Sequence, residues 1–252
     1  MFFSPGAWQH FAIVQSNALV AIPDDISDEV ATQLLINTIT AKQVLRRALS
    51  GLETPTNHIL QTGASSAVAK IISILAIQEG IQPIRLVRSD SSAYQLHEYL
   101  PGGHIISTED KSWKEKVSQF TNHGLPVALD NVGGELLEHI AELVERKGHI
   151  VFYGNLSNAP TNLNLFIPKA LTLTGATLGT WHDETNEYER VLDQKAAIEL
   201  ARNHPALFKN TKEFPITDID AASRLLQAPV LLPSVFYTQL SNICYILFRH
   251  LK

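Results

Sequence analysis

The chain has 252 residues, 45% of them hydrophobic and 18% charged, with a formal net charge of −5. That size and balance suit one large or two small globular domains and exclude a disordered chain. The negative charge leaves no basic footprint for nucleic acid or an anionic membrane, and the single cysteine, Cys244, excludes an intrachain disulfide framework and a cysteine-built zinc site.

The single cysteine points to a reducing, cytoplasmic setting, and residues 1–10, MFFSPGAWQH, lack the basic and apolar regions of a secretory signal. Residues 8–22 read as two short strands around the turn at Ser16 and Asn17. Ser27 is placed to cap a helix, with Asp28 and Glu29 favourable to its dipole; the helical pattern weakens near Asn37 and stops at Gly51, with Pro55 beyond. From residue 58 the pattern is regular. Apolar runs of strand length stand at 58–62, 83–88, 104–107, 126–130 and 148–153, with helical patterns at 65–79, 91–100, 112–121 and 134–146 between them. Trp113, Val117 and Phe120 share one helical face, as do Leu136, Leu137, Ile140 and Val144. Residues 170–179 predict a sixth strand, and residues 185–203 a long amphipathic helix. A short helix capped near Asp218 or Asp220 is expected next. In 230–248 the apolar run is broken by Pro233, Ser234, Thr238, Gln239, Ser241 and Asn242, which argues against a membrane span. Strand and helix alternating over short connections imply right-handed crossovers and a parallel sheet, so the fold class is a doubly wound, Rossmann-like α/β domain.

In such a sheet ligands bind beyond the carboxyl ends of the strands. After the first run comes Thr62-Gly63-Ala64-Ser65-Ser66-Ala67-Val68-Ala69. Gly63 permits a tight turn, and the small residues allow a pyrophosphate to approach the backbone amides and the Ser65 and Ser66 hydroxyls at a helix N-terminus. The alternative is a plain strand–helix turn whose small residues serve packing alone; one fingerprint glycine of three does not separate the two. Arg88 ends the second run, where an acid would hold an NAD ribose and an arginine would hold a 2′-phosphate; Ser89 adds a donor, and NADP is favoured over NAD, the alternative being a merely exposed strand-end arginine. Asp130-Asn131-Val132-Gly133-Gly134 and Tyr153-Gly154-Asn155-Leu156 follow the fourth and fifth runs, and in isolation are ordinary turns. The ten histidines are scattered and predict no metal site. No serine-hydrolase elbow or P-loop is present, and Asp24-Asp25 and Glu109-Asp110 read as solvated or capping acids.

Taken in order, GAWQHFAIV, ALVAIPDDIS, LLINTITAKQVL, LQTGASSAVAK, IRLVRSD, LDNVGG, GHIVFYGNLS and LTLTGATLGTW resemble the zinc-independent medium-chain dehydrogenase/reductases. Within these the chain looks most like the mitochondrial-type 2-enoyl thioester reductases and quinone-oxidoreductase-like proteins, from about Gly6 to Pro229. The resemblance implies NADPH-dependent hydride transfer to an activated double bond or a quinone or carbonyl acceptor, with a partner or second subunit, as in a homo-oligomer, completing the cleft. By position it implies Asn37 and Thr40 near the nicotinamide, Ser65, Ser66, Ala67 and Val68 at the pyrophosphate, and Arg88 and Ser89 at the 2′-phosphate. It further implies Tyr153, Gly154, Asn155 and Leu156 beside the nicotinamide ribose, and Ala176, Thr177 and Leu178 bordering the nicotinamide.

The chain departs from the family pattern at Ala67 and Ala69, where glycines are usual, and at Ala176 and Thr177, where the thioester reductases carry bulky aromatics; Trp181 matches. Residues 1–40 are expected to be the remainder of a GroES-like catalytic domain with its connecting helix, 41–181 the NADP-binding domain, and 182–252 a segment returning to the catalytic domain, with an atypical tail from about 230. No catalytic residue is assigned. The competing expectation is a truncated NADP(H)-binding remnant without turnover.

Overall fold

The computed structural model describes residues 13–14, 19–52, 55–100, 102–121 and 124–208. The chain divides into two compact units, one of residues 38–186 and one whose described part comprises 13–14, 19–37 and 187–208. Most of the strand pair expected at 8–22, the helix expected near Asp218, and the tail lie outside the described residues.

Helix α1, Asp28–Ser50, begins where Ser27 offers its hydroxyl to the Val30 amide at 3.4 Å. It runs without the interruption expected near Asn37. Leu34, Leu35, Ile36, Asn37, Thr38, Ile39 and Ala41 are all buried, so the helix is covered around its circumference and burial overrides the weak local pattern.

Residues 38–186 hold a six-stranded sheet of β1 (His58–Gln61), β2 (Gln82–Val87), β3 (His104–Ser107), β4 (Leu125–Asp130), β5 (Val144–Phe152) and β6 (Thr172–Gly175). Every pairing is parallel and the order is β3-β2-β1-β4-β5-β6. The connecting helices are α2 (Ala67–Gln78), α3 (Asp90–Tyr99), α4 (Trp113–Phe120) and α5 (Gly134–Leu143). One face of the sheet contributes Leu60, Ile84, Leu86, Ala128 and Ile150 to a core shared with Trp113 and Val117 of α4 and Leu137 and Ile140 of α5. Each large apolar side chain buried there contributes about 1.5–3 kcal/mol. Short α6 (Trp181–Glu184) follows β6 and seats the buried Trp181.

The opposite face carries polar groups. Gln61 is fully buried and its amide donates to the Ala69 carbonyl of α2 at 3.1 Å and the Ser73 hydroxyl at 2.7 Å. Its register neighbour Arg85 is also fully buried, donating to the Leu100 carbonyl at 3.0 Å; burial lowers its pKa to about 10.

In the other unit, α7 (Glu187–Asn203) is followed by a short turn in which Phe208 is buried. The Gln33 amide donates to the Phe208 carbonyl at 2.8 Å, and Arg202 grips Asp25 through two nitrogens at 2.7 and 2.9 Å.

The largest difference from the sequence-based elements is at β5. A helix to residue 146 and a strand from 148 are predicted, whereas α5 stops at Leu143 and Val144 already pairs with Leu125. The cause is long-range. The Lys169 ammonium collects carbonyls at the end of α5, those of Ala141 at 3.2 Å and Val144 at 2.7 Å and, more closely, Glu142. The pairing then shifts register between Leu125 and Val127, and the extra β5 residues bulge. Lys147, at the bulge, has φ 63° and donates its amide to the Lys169 carbonyl at 2.7 Å. Beside it a Cβ on Gly148 would lie 2.4 Å from Val144 Cγ1 and 2.9 Å from the Glu145 carbonyl. A Gly148→Ala substitution is therefore expected to cost about 1–3 kcal/mol in urea denaturation, through crowding of the backbone; a change below about 0.5 kcal/mol would show that the bulge yields freely.

Candidate functional site

Strand order reverses at β1, with β2 and β4 as its two neighbours, which is the place where sheets of this kind bind ligands, and the first turn meets the turn after β4 there. Here the Thr62 hydroxyl donates to Asp130 Oδ1 at 2.5 Å and accepts from the Asn131 amide at 3.2 Å. Asp130 Oδ2 accepts from the Gly133 amide at 2.8 Å, which fixes the entry to α5. Gly63 has φ +53°, and a Cβ there would stand 2.1 Å from Asn131 Oδ1, so the position admits only glycine on both counts. The Asn131 side chain then donates to Ser66 Oγ at 3.2 Å.

Ser66 is the N-cap of α2 and accepts from the Ala69 amide at 3.3 Å. Its oxygen thus accepts twice. Among the described residues the Ala67 and Val68 amides, in the first turn of α2, have no acceptor. Beneath lies the Tyr153 hydroxyl, a buried group without a hydrogen-bond partner. Burial, then the charge of Asp130, raise its pKa, with Ser66 acting weakly the other way, so it stays protonated and able to donate.

The expected residues fall into two groups. Gly63, Ser66, Ala67, Val68, Tyr153 and Gly154 converge: Tyr153 donates its amide to the Asp130 carbonyl at 2.9 Å, and a Cβ on Gly154 would come within 3.1 Å of the Asn131 carbonyl. Ser65, Asn155 and Leu156 are exposed around them, with the Leu156 amide donating to the Asn131 carbonyl at 3.0 Å. Ala176 is held to the end of β5 by its amide on the Phe152 carbonyl at 2.9 Å, and Leu178 starts the next turn. Arg88 is exposed at the end of β2. Ser89 caps α3, its hydroxyl accepting from the Ser92 amide at 3.2 Å. Asn37 is buried with its amide nitrogen unpartnered, and Thr40 is half-buried on the next turn of α1.

Three further candidate positions escape the sequence reading. Asp130 and Asn131 pass there as an ordinary turn, although a polar pair directly after an apolar run was the available clue. Glu109 also matters: its carboxylate accepts from the Asp90 amide at 3.2 Å, which brings an acid to the N-terminus of α3, near Arg88. Among the described residues no group of three or more His, Cys, Asp or Glu side chains could hold a metal ion.

Asp130 is fully buried. Burial pushes its carboxyl above the ordinary value of 3.8, and the Thr62 hydroxyl and the Gly133 and Val132 amides offset this only in part. A carboxyl raised in the folded state contributes stability that is complete below pH 3.8 and is lost as pH rises through the folded value. An Asp130→Asn variant lacks this loss. Its stability relative to the parent, followed by urea denaturation from pH 4 to 7, is expected to improve as pH rises; a difference that is flat or moves the other way would mean that the donors outweigh burial.

The profile of the zinc-binding dehydrogenase family matches residues 67–196, just over half of the chain. The mitochondrial enoyl-[acyl-carrier-protein] reductase of Xenopus tropicalis is 28% identical over 237 residues, which is 90% of this chain and 67% of the relative. Among solved structures, the Pseudomonas syringae quinone oxidoreductase superposes with a TM-score of 0.70 at 22% identity, covering 86% of this chain and 66% of that one. The Escherichia coli quinone oxidoreductase complexed with NADPH gives 0.68 at 22% identity, covering 84% and 65%. The chain spans from about half to two thirds of the length of the curated relatives it matches. Its parallel sheet, its first-turn cradle and the profile match agree: the chain belongs to the zinc-binding dehydrogenase family, among the zinc-independent medium-chain dehydrogenase/reductases.

Proposed function

We propose that the chain binds NADPH across the ends of β1, β4 and β5, and that it serves hydride transfer to the activated double bond of a 2-enoyl thioester or to a quinone or carbonyl acceptor. The observation that carries this reading is the first turn, where Asn131 packs against Gly63 and bonds Ser66, and the Ala67 and Val68 amides of α2 are left without acceptors among the described residues. Such a turn suits a pyrophosphate, because free amides at a helix N-terminus meet anionic oxygen with both hydrogen bonds and the helix dipole.

The residues present fit the group. Ser65, Ser66, Ala67 and Val68 would hold the pyrophosphate, and Arg88 and Ser89 the 2′-phosphate. Gly154 and Tyr153 would flank the nicotinamide ribose, and Ala176 and Leu178 the ring. NADPH, when bound, supplies the hydride. The chain's own contribution is to fix the cofactor's phosphates and present its reactive end beyond the strand ends. In this reading residues 41–181 form the cofactor domain, while 1–40 and 182–252 belong to the part that handles substrate. The enoyl-[acyl-carrier-protein] reductase and the quinone oxidoreductase that the chain resembles support the thioester and quinone acceptors.

No described helix is long and apolar enough to cross a membrane. We read the single cysteine as favouring a reducing compartment, and the mitochondrial relatives show that this need not be the cytoplasm.

Titration of the purified chain with NADPH and NADH, followed by nucleotide fluorescence, tests the assignment. NADPH is expected to bind at least about tenfold more tightly, and Arg88→Ala to remove that preference while leaving NADH unchanged. Equal affinity of the parent for both nucleotides would defeat the role given to Arg88. Oxidation of bound NADPH by a crotonyl thioester or by a quinone then separates the acceptors, and binding without oxidation by either would overturn the proposed turnover.

A further inference from the structure

Strands β1, β2 and β3 end side by side, and the turns that leave them are bonded to one another. The Ala64 amide of the first turn donates to the Leu86 carbonyl at 3.0 Å, and the Thr108 amide, leaving β3, donates to the Val87 carbonyl at 2.9 Å. The Thr108 hydroxyl also donates to the Arg88 carbonyl, at 3.5 Å. Residues 63–66, 88–90 and 108–110 therefore form one ledge beyond the strand ends. A nucleotide with its pyrophosphate on the first turn of α2 carries its adenosine ribose toward this ledge, because a dinucleotide's ribose is read at the end of the second strand.

Two charges on the ledge have no counter-ion among the described residues. Arg88 is one, exposed at the end of β2. Glu109 is the other, also exposed, its carboxylate accepting from the Asp90 amide at 3.2 Å. The neighbouring acids are engaged differently. Asp110 is held by Lys116 and by the amide and hydroxyl of Ser112, and Lys116 also feels the charge of Asp90.

Helix capping does not account for Glu109. Ser89 already caps α3 through the Ser92 amide, and Asp90 already sets an acid against the helix dipole in the first turn. Glu109 comes from another strand, and its backbone is fixed by its own turn, where its amide donates to the Ser107 hydroxyl at 3.2 Å. The result is a carboxylate delivered from β3 to the place where a dinucleotide-binding sheet can carry one on β2, and where this chain has Arg88 instead.

We infer that Glu109 is a specificity-determining residue that reads the adenosine ribose, accepting from its free hydroxyls and opposing a phosphate at the 2′ position. This rests on the nucleotide reading above and deepens it. The chain meets the two forms of the cofactor with two residues, Arg88 for the 2′-phosphate and Glu109 for the free diol. An ionised carboxylate keeps lone pairs for a diol beyond the one given to the Asp90 amide, whereas a phosphate brought beside it sets like charge against like. Glu109 thereby narrows the preference for NADPH that Arg88 creates, and gives NADH an acceptor that β2 does not supply.

Titration of the full chain with NADPH and with NADH, followed by nucleotide fluorescence, tests this by comparing the parent with Glu109→Gln, which keeps the shape of the side chain and removes its charge. NADPH is expected to bind the variant at least about threefold more tightly and NADH at least about threefold more weakly. Opposite movement is the signature, since loss of a merely structural contact weakens both. The gain for NADPH arises between exposed charges and is expected to shrink as salt is raised from about 50 to about 500 mM. Affinities that do not change in Glu109→Gln, or that move in the same direction, while the parent retains its preference for NADPH, would overturn this inference alone. A parent chain that binds neither nucleotide would overturn the nucleotide reading and this inference together.

Discussion

A buried hydrogen bond of 2.5 Å from the Thr62 hydroxyl to the Asp130 carboxylate joins the ends of the two central strands. The candidate site depends on it. The sheet order reverses at these strands, and the turns that follow them can present groups to one ligand only if their ends are held in fixed relation. The bond serves this at an electrostatic cost, since a carboxylate whose donors are a hydroxyl and two backbone amides is placed in the interior and its pKa rises. Thr62, Gly133 and Val132 reduce that cost without removing it. In return the next residue, Asn131, is aimed across at Gly63 and Ser66, so one polar pair shapes both turns.

The alternation of strands and helices was legible because each element carries its own period, and the apolar runs lie within one or two residues of β1, β2, β3 and β4. The start of β5 was not legible. Val144 completes a helical apolar stripe in sequence, yet it becomes a strand residue because Leu125 offers a pairing partner and Lys169 closes α5 early. Neither partner is local. Asn37 shows the converse: a polar residue that suggests a break in sequence is absorbed into α1, because the helix is buried on all sides and its backbone bonds are worth more than the local preference.

The site divides along the same line. Gly63, Ser66 and Arg88 stand directly after apolar runs, where topology puts ligand groups, and could be named from position alone. Asn131 could not, because its importance is a contact between two turns far apart in the chain. Glu109 reads in isolation as a solvated acid, and only the fold brings it to the Asp90 amide. A cation and an acid thus share the end of β2, where the ribose of a dinucleotide would be read. In the proposed reading Arg88 would meet the 2′-phosphate with the Glu109 carboxylate held close by on the Asp90 amide.

The missing fingerprint glycines have a structural counterpart. Glycine serves three purposes in such a turn: left-handed backbone, close approach to phosphate, and close helix–sheet packing. At Gly63 the first purpose cannot be delegated, since the backbone is left-handed and Asn131 occupies the space of any side chain. The third is met differently. Ala69 is fully buried and its carbonyl accepts from Gln61 on β1, so a hydrogen bond reinforces the packing that a glycine would permit by bareness alone. The same bond accounts for a polar Gln61 in a central strand and for Ser73 beneath it, which accepts from Gln61 and donates to the Ala69 carbonyl. The substitution of small residues for glycine is therefore coupled to the polar character of the sheet face below it. The turn keeps its left-handed glycine and its open amides, and gains rigidity from side chains on two neighbouring strands.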